Sequence, residues 1–276
     1  MKKLLAFALV LVLSLGICVT ASAEANDTWV MAINATFPPF ESIADGTTEY
    51  VGIDIDIAEY IAEKLGVEMD IQDMQFSALV PTMQSGRADI IISGISPTAE
   101  RKEIIDFTDS YYFPMNAIIC KKDAGYDTLD ALKGKKIGVS MGTSYANVAA
   151  SVEGAEVAEL DSTPLIIQEI LNSRCDAGIF DSTQAAVFVQ ENEGLEMHII
   201  ESEVTMEDSF AIALPKDSPY VEQINEILDE MMTNGTMHDI LVKYLGEEAT
   251  DQYEAFVAEL DLDEEVPADA EQADSK

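Results

Sequence analysis

ADIIISGISPTAERKEIIDF, residues 88–107, is the stretch from which the rest of the chain can be ordered. A short apolar run rich in β-branched isoleucine follows Asp89; it is too short for a helix and has the character of a buried strand. The run ends at Ser93-Gly94-Ile95-Ser96-Pro97, where Gly94 permits close approach to the backbone and Pro97 cannot continue a ladder. Thr98 is a good N-cap, so a helix is expected over Ala99–Ile105. Arg101 then falls in the first turn of that helix, where the macrodipole disfavours a cation. An arginine held against its local field beside free backbone N–H groups has the chemistry of a clamp for a carboxylate. The plainer alternative is a solvated surface arginine.

Working outward, the N-terminal half alternates strand and helix. Trp29–Ala35 has the pattern of a strand, and Thr36-Phe37-Pro38-Pro39-Phe40 follows as a stiff loop that presents two aromatic rings. A helix is expected over Asp54–Leu65, with Ile57, Ala58, Ile61 and Leu65 at helical spacing and Gly66 as its stop. A strand at Val67–Ile71 and a helix from Phe76 to about Gly86 lead into the opening stretch. Tyr111–Lys122, broken by Pro114, is apolar enough to carry the chain out of this first unit. The alternation then restarts: strand 136–139, glycine turn 140–144, helix 145–151, strand 155–160, helix 163–172, strand 176–181 ending in Asp181, helix 182–190 and a further strand at 195–200. Asp208–Leu214 is a second apolar crossing, followed by helices at 219–232 and 236–245. Such alternation implies parallel sheets covered by helices, with ligands bound beyond the carboxyl ends of the strands. Three groups lie at such ends: Asn34 to Phe37, Gln75-Phe76 and Ser93 to Ser96.

Charge and composition narrow the function. The 276 residues carry 15 Lys and Arg against 52 Asp and Glu, a formal charge of −37. Residues 1–23 combine Lys2 and Lys3, an apolar core and Ala21-Ser22-Ala23, the pattern of a cleaved export signal. A lipid anchor at Cys18 is the alternative, disfavoured because Ile17 stands where a small residue is wanted. Removing the leader takes away two lysines and no acids, leaving 13 basic against 52 acidic residues, near −39. That field excludes generic binding to nucleic acid or anionic membranes, and any anionic ligand needs a local cation. Cys120 and Cys175 are far apart, show no metal spacing, and either pair or stay as buried thiols. His198 and His238 are isolated and are expected to be ordinary surface or boundary residues. No metal or cofactor is expected.

Five pieces resemble the extracellular solute-binding proteins of ABC transporters for polar amino acids: ATFPPFES (35–42), VGIDIDIAEYIAEKLG (51–66), ISGISPTAERKEIIDFTDSYY (92–112), GKKIGVSMGTS (134–144) and CDAGIFD (175–181). The resemblance implies two Rossmann-like α/β lobes joined by two crossing hinge strands, the type II periplasmic binding protein fold, with a ligand closed between the lobes. It implies lobe 1 at 27–114 and 210–249 and lobe 2 at 115–209; the Asp- and Glu-rich composition from Thr250 onward reads as an acidic, mostly disordered tail at 250–276. By the same resemblance Arg101 takes the ligand α-carboxylate, with Thr143 and Ser144 closing on it from the other lobe. Asp181 pairs with the α-ammonium, helped by Gly94 and Ser96, while Phe37 and Phe76 flank the ligand side chain. Asn34 stands where relatives for basic ligands carry an acid, and Ser93 and Ser140 add hydroxyls, so a polar amino acid is favoured and arginine stays open. Phe40, Tyr111 and Tyr112 are assigned to core or hinge, and Glu41 to solvent. The implied partners are a free amino acid and the permease subunits of a membrane importer, with the protein exported and monomeric. Two other classes stay open. An enzyme on the same scaffold, such as a cyclohexadienyl or arogenate dehydratase, would need a catalytic acid or base in the cleft. A sensor ectodomain would need a membrane segment after Leu245.

Overall fold

The structure is a computed structural model, and it describes residues 27–201 and 204–260. The export signal, Cys18 and residues 261–276 fall outside the described residues. Among those described, no helix is long and apolar enough to cross a membrane.

Two five-stranded sheets organise the chain. The first contains β1 (Thr28–Ile33), β5 (Glu68–Asp73), β6 (Ile90–Ile91), β7 (Ile105–Tyr112) and β13 (Phe210–Pro215), in the order β5-β1-β6-β13-β7. Here β1 runs parallel to β5 and β6, whereas β13 is antiparallel to β6 and β7. The second sheet contains β8 (Asn116–Lys121), β9 (Lys136–Ser140), β10 (Glu156–Leu160), β11 (Ala177–Asp181) and β12 (Leu195–Ile199), in the order β10-β9-β11-β8-β12. β9 is parallel to β10 and β11, while β8 is antiparallel to β11 and β12. Both sheets are therefore mixed rather than parallel. The strands that carry the chain between lobes run back against the others, which alternation along the sequence does not disclose. A small three-stranded sheet of β2 (Thr36–Phe37), β3 (Glu41–Ile43) and β4 (Tyr50–Val51) sits beside the first.

The helices form where apolar spacing and stop residues allow. α1 (Ile53–Leu65) turns Ile53, Ile57, Ala58 and Ile61 inward and ends at the left-handed Gly66. α2 (Phe76–Gln84), α4 (Tyr145–Ala150), α5 (Thr163–Leu171) and α6 (Ser182–Glu191) each follow the carboxyl end of a strand. α7 (Val221–Asn234) and α8 (Thr236–Leu245) cover the first lobe, with Ile224, Met231, Met237 and Leu241 in its core. Two expectations need correction. α3 spans only Ala99–Lys102, because the chain enters β7 at Ile105. The chain does not become irregular at Thr250 either, since α9 occupies Glu247–Glu259. Tyr253 of α9 stacks on Tyr112 with ring centroids 4.3 Å apart, and its hydroxyl accepts a bond from Phe113 N–H.

The second lobe has apolar layers on both faces of its sheet, one holding Ile118, Cys120, Ile137 and Val139, the other Ile119, Ile166, Cys175 and Phe188. Cys120 and Cys175 are both free thiols, buried in different layers. This settles the open pairing question against a disulfide.

Candidate functional site

The carboxyl ends of the parallel strands from both sheets converge on one small cavity. The first lobe lines it with Asn34, Phe37, Phe76, Ser93, Gly94, Ser96 and Arg101; the second with Ser140, Thr143, Ser144, Tyr145, Thr163, Phe180 and Gln184. Nine of the ten sequence-selected residues are thus brought to one cavity. The tenth, Asp181, is fully buried at the end of β11, directly beside lining residue Phe180.

Arg101 reaches across the gap between lobes. Its Nη1 donates to Ser96 O at 2.8 Å and its Nη2 to Gly142 O at 2.8 Å, and the guanidinium lies 5.4 Å from the centroid of the Phe76 ring. Burial lowers its pKa to about 10, so it stays cationic at neutral pH. A guanidinium has five N–H donors, and the two carbonyls leave some of them free for an anion. Thr98 caps the short α3 by accepting from Arg101 N–H. The arginine is therefore fixed by its own turn on one side and by the opposite lobe on the other.

Asp181 plays a double part. Its Oδ1 accepts from Thr183 N–H and Gln184 N–H at 2.9 Å each, which caps α6. Its Oδ2 is buried and, among the described residues, has no hydrogen-bond partner. Burial pushes the carboxyl up to about 7 against those two N–H bonds, which favour the charged form. A half-satisfied buried carboxylate is costly unless a cation meets it.

The turn after β6 holds the remaining first-lobe groups. Gly94 adopts φ +51°, and a Cβ there would lie 2.4 Å from Phe37 Cε1, so both the left-handed turn and the aromatic contact require glycine. Its N–H donates to Asp54 Oδ2 at 2.8 Å, and Tyr111 Oη donates to Asp54 Oδ1 at 2.8 Å. Ser93 Oγ accepts Asn34 N–H and donates to Glu41. Glu41 is fully buried, which corrects the solvent-facing expectation: the turn from β2 to β3 folds it beneath Ser93, away from water. Burial and the nearby Asp54 raise its pKa well above the usual carboxylate range, while burial lifts Asp54 to about 6. Phe40, Tyr111 and Tyr112 are buried in the first lobe's core.

A polar wall continues across the gap. Asn34 Nδ2 donates to Met74 O and its Oδ1 accepts from Thr36 Oγ1; Gln184 Nε2 donates to Thr36 O at 3.3 Å, and Gln184 Oε1 accepts from Thr163 Oγ1. Thr143 Oγ1 donates to Ser140 O, so its hydroxyl closes the turn before α4. Gly142, at φ +80°, comes so close that a Cβ would sit 3.1 Å from Ser77 Cα of the first lobe. Tyr145, Thr163, Phe180 and Gln184 were not singled out from sequence. They sit at the starts of helices or the end of an apolar strand, where their residue types look like core or caps. No acidic side chain is among the lining residues. The lining thus offers one cation, neutral hydrogen-bonding groups and aromatic rings, with a buried acid immediately behind it.

The sequence matches the family described as bacterial extracellular solute-binding proteins, family 3, over residues 29–247. It is 33% identical to the arginine-binding extracellular protein ArtP of Bacillus subtilis, over 78% of this chain and 85% of that one. The structure is similar to an ancestral arginine-binding protein bound to arginine, with TM-score 0.74 and 35% identity, covering 80% of this chain and 99% of that one. An ancestral arginine-binding protein bound to glutamine gives TM-score 0.72 and 36% identity, over 80% and 99% of the respective chains.

Proposed function

The chain belongs to the bacterial extracellular solute-binding proteins of family 3, and from that premise we propose that it captures a polar L-amino acid between its lobes and delivers it to the permease of an ABC importer. The observation that carries this is the pairing of opposite charges around one small cavity. Arg101 offers free donors in the gap, and Asp181 keeps a bare carboxylate oxygen behind the facing wall. A zwitterion satisfies both: its carboxylate takes the guanidinium fork, and its ammonium takes the orphaned oxygen. Thr143, Ser144 and Ser96 complete the polar shell, and Phe37 and Phe76 supply apolar surface for the side chain.

The neutral wall of Asn34, Thr163 and Gln184 suits a side chain that both donates and accepts, as a carboxamide does. Arginine, which ArtP is named for, is the ligand to compare with glutamine. Binding closes the lobes, a ligand-driven shift between two states, and the closed form docks on the permease. The role is capture without chemical turnover, with the protein acting as an exported monomer.

A thermal-shift screen of the twenty L-amino acids, followed by calorimetry, tests the reading. Ligand at a hundred times its Kd raises stability by about 2.7 kcal/mol, so at least one polar amino acid should raise Tm clearly. If none does, or if prephenate is consumed, the reading fails.

A further inference from the structure

A second cluster lies on the other lobe, away from the cavity. β8 and β12 pair antiparallel with Cys120 opposite Glu196, and His198 stands two residues further along β12 on the same face. One ligand atom from each of the three falls within 4.8 Å of the others. Cys120 Sγ is 3.7 Å from Glu196 Oε1, and His198 Nε2 is 3.4 Å from the same oxygen.

We propose that Cys120, Glu196 and His198 form a binding site for a zinc-class divalent cation. Around tetrahedral zinc, with Zn–S about 2.3 Å and Zn–N or Zn–O about 2.0–2.1 Å, ligand atoms stand roughly 3.3–3.6 Å apart. The two measured separations lie within a few tenths of an ångström of that edge. The donor set of thiolate, imidazole and carboxylate matches zinc and not magnesium or calcium, which take oxygen ligands.

A second observation is the state of the donors. His198 Nε2 is shielded from water and, among the described residues, has no hydrogen-bond partner. The Cys120 thiol has only long contacts, to Glu196 and at 3.9 Å to Tyr126 O. Ordinary cross-strand pairing leaves neither lone pair used, whereas a cation uses both. Burial pushes the thiol up to about 11, so the metal-free protein holds it protonated; the metal binds thiolate and one proton leaves. Glu196 and His198 keep side chains 30% exposed, which gives a path for entry. The formal charge of −37 concentrates cations at the surface.

The site is independent of the cavity. Cys120 pairs with Ala177 and Asp181 with Asn116, so the two sites are four residues apart along β11, about 13 Å at roughly 3.3 Å per residue. Metal would bolt the edge strand β12 to β8 without touching the gap.

The test uses the untagged exported chain, metal-stripped under reducing conditions, titrated with Co²⁺ as a spectroscopic stand-in and then with Zn²⁺. The expected result is one Co²⁺ per chain, a sulfur-to-cobalt charge-transfer band, displacement by equimolar Zn²⁺, and no displacement by excess Mg²⁺. Cys120→Ser should abolish the band, and His198→Ala should weaken Co²⁺ binding at least about tenfold. Both variants should keep wild-type circular dichroism without metal. Absence of the band in wild type, or its survival in Cys120→Ser, overturns the proposal. If Cys120→Ser does not fold, alkylation of native Cys120 after metal stripping, with Zn²⁺ protection expected, decides instead; equal rates with and without Zn²⁺ overturn it.

Discussion

The two walls of the gap put their buried acids to different uses. In the first lobe, both oxygens of Asp54 are used, by Gly94 N–H and Tyr111 O–H, and Glu41 is bonded to Ser93 through one oxygen, its other oxygen lying beside Asp54 without a partner among the described residues. These two carboxyls lie deep, both are raised by burial, and they support the turn that presents Ser93 and Gly94. The charge this wall offers outward is the cation of Arg101. In the second lobe, Asp181 uses one oxygen to cap α6 and leaves the other with no partner among the described residues. The first wall turns its buried acids inward, on its own turn, and acts as a platform. The second is completed only by a cation from outside, which ties its stability to the ligand.

The largest break in that comparison removes the outward cation. Arg101→Ala is expected to weaken amino-acid binding by roughly a hundredfold to ten-thousandfold, since two charge-assisted bonds are worth about 1.5–3 kcal/mol each. Calorimetry measures the loss, and unchanged far-UV circular dichroism shows that the core is intact. Near-normal affinity would remove Arg101 from the platform's role. Next comes the support beneath the platform. Asp54→Ala strands the Gly94 and Tyr111 donors in a buried place and should cost about 2–4 kcal/mol of stability. Urea denaturation reads this, and an unchanged midpoint would mean that the network is not holding the turn.

The second wall predicts a smaller effect with a distinctive pH signature. Asp181→Asn should weaken binding about tenfold to thirtyfold, because the amide still accepts but carries no charge. In the wild type the buried carboxyl titrates near 7, far above its ordinary value. Above that pH it is ionised and attracts the ligand ammonium; below it the group is neutral. Affinity should therefore fall as pH drops from 7 toward 5, by up to about tenfold per unit. The raised pKa gives stability the opposite slope: without ligand, the fold is penalised above pH 7, and the penalty lifts as the pH falls toward the unfolded value near 4. Calorimetry from pH 5 to 8 on both proteins checks this, with a flat profile expected for Asp181→Asn. Parallel profiles would mean that some other group couples to the ligand.

These contrasts were unequally legible in the sequence. Arg101 was picked out by standing against the dipole of an expected helix that the structure shortens to one turn, and Gly94 and Ser96 by interrupting an apolar run. Asp181 was visible as an acid at a strand end, but its divided role needed coordinates. Glu41 misled because its neighbours in sequence are loop-like, and only the fold of β2 onto β3 puts it under Ser93. Tyr145, Thr163 and Gln184 carry no local signal, since apposition with the other lobe is what makes them lining residues. The short α3 was overread for a related reason: helix-forming residues at 99–104 are overridden where β7 pairs with β13. The cluster at Cys120 escaped because its partners, Glu196 and His198, lie far along the sequence on a paired strand.

The smallest expected effect concerns where the two walls are joined. Tyr253 of α9 stacks on Tyr112 at an interplanar angle of 8° and accepts from Phe113 N–H at 3.0 Å, and Tyr112 Oη in turn meets Thr183 Oγ1 of the second lobe. Tyr253→Phe keeps the ring and removes the acceptor, so it should cost about 0.5–1.5 kcal/mol, a Tm drop of roughly 2–4 °C per kcal/mol for a chain of this size. If α9 merely braces the first lobe, the amino-acid Kd should stay within about twofold, because Phe113 and Tyr253 do not line the cavity. A change in Kd larger than the change in stability would instead place α9 among the parts that move. The platform would then extend no further than Tyr112, and closure would be felt by a helix that does not line the cavity.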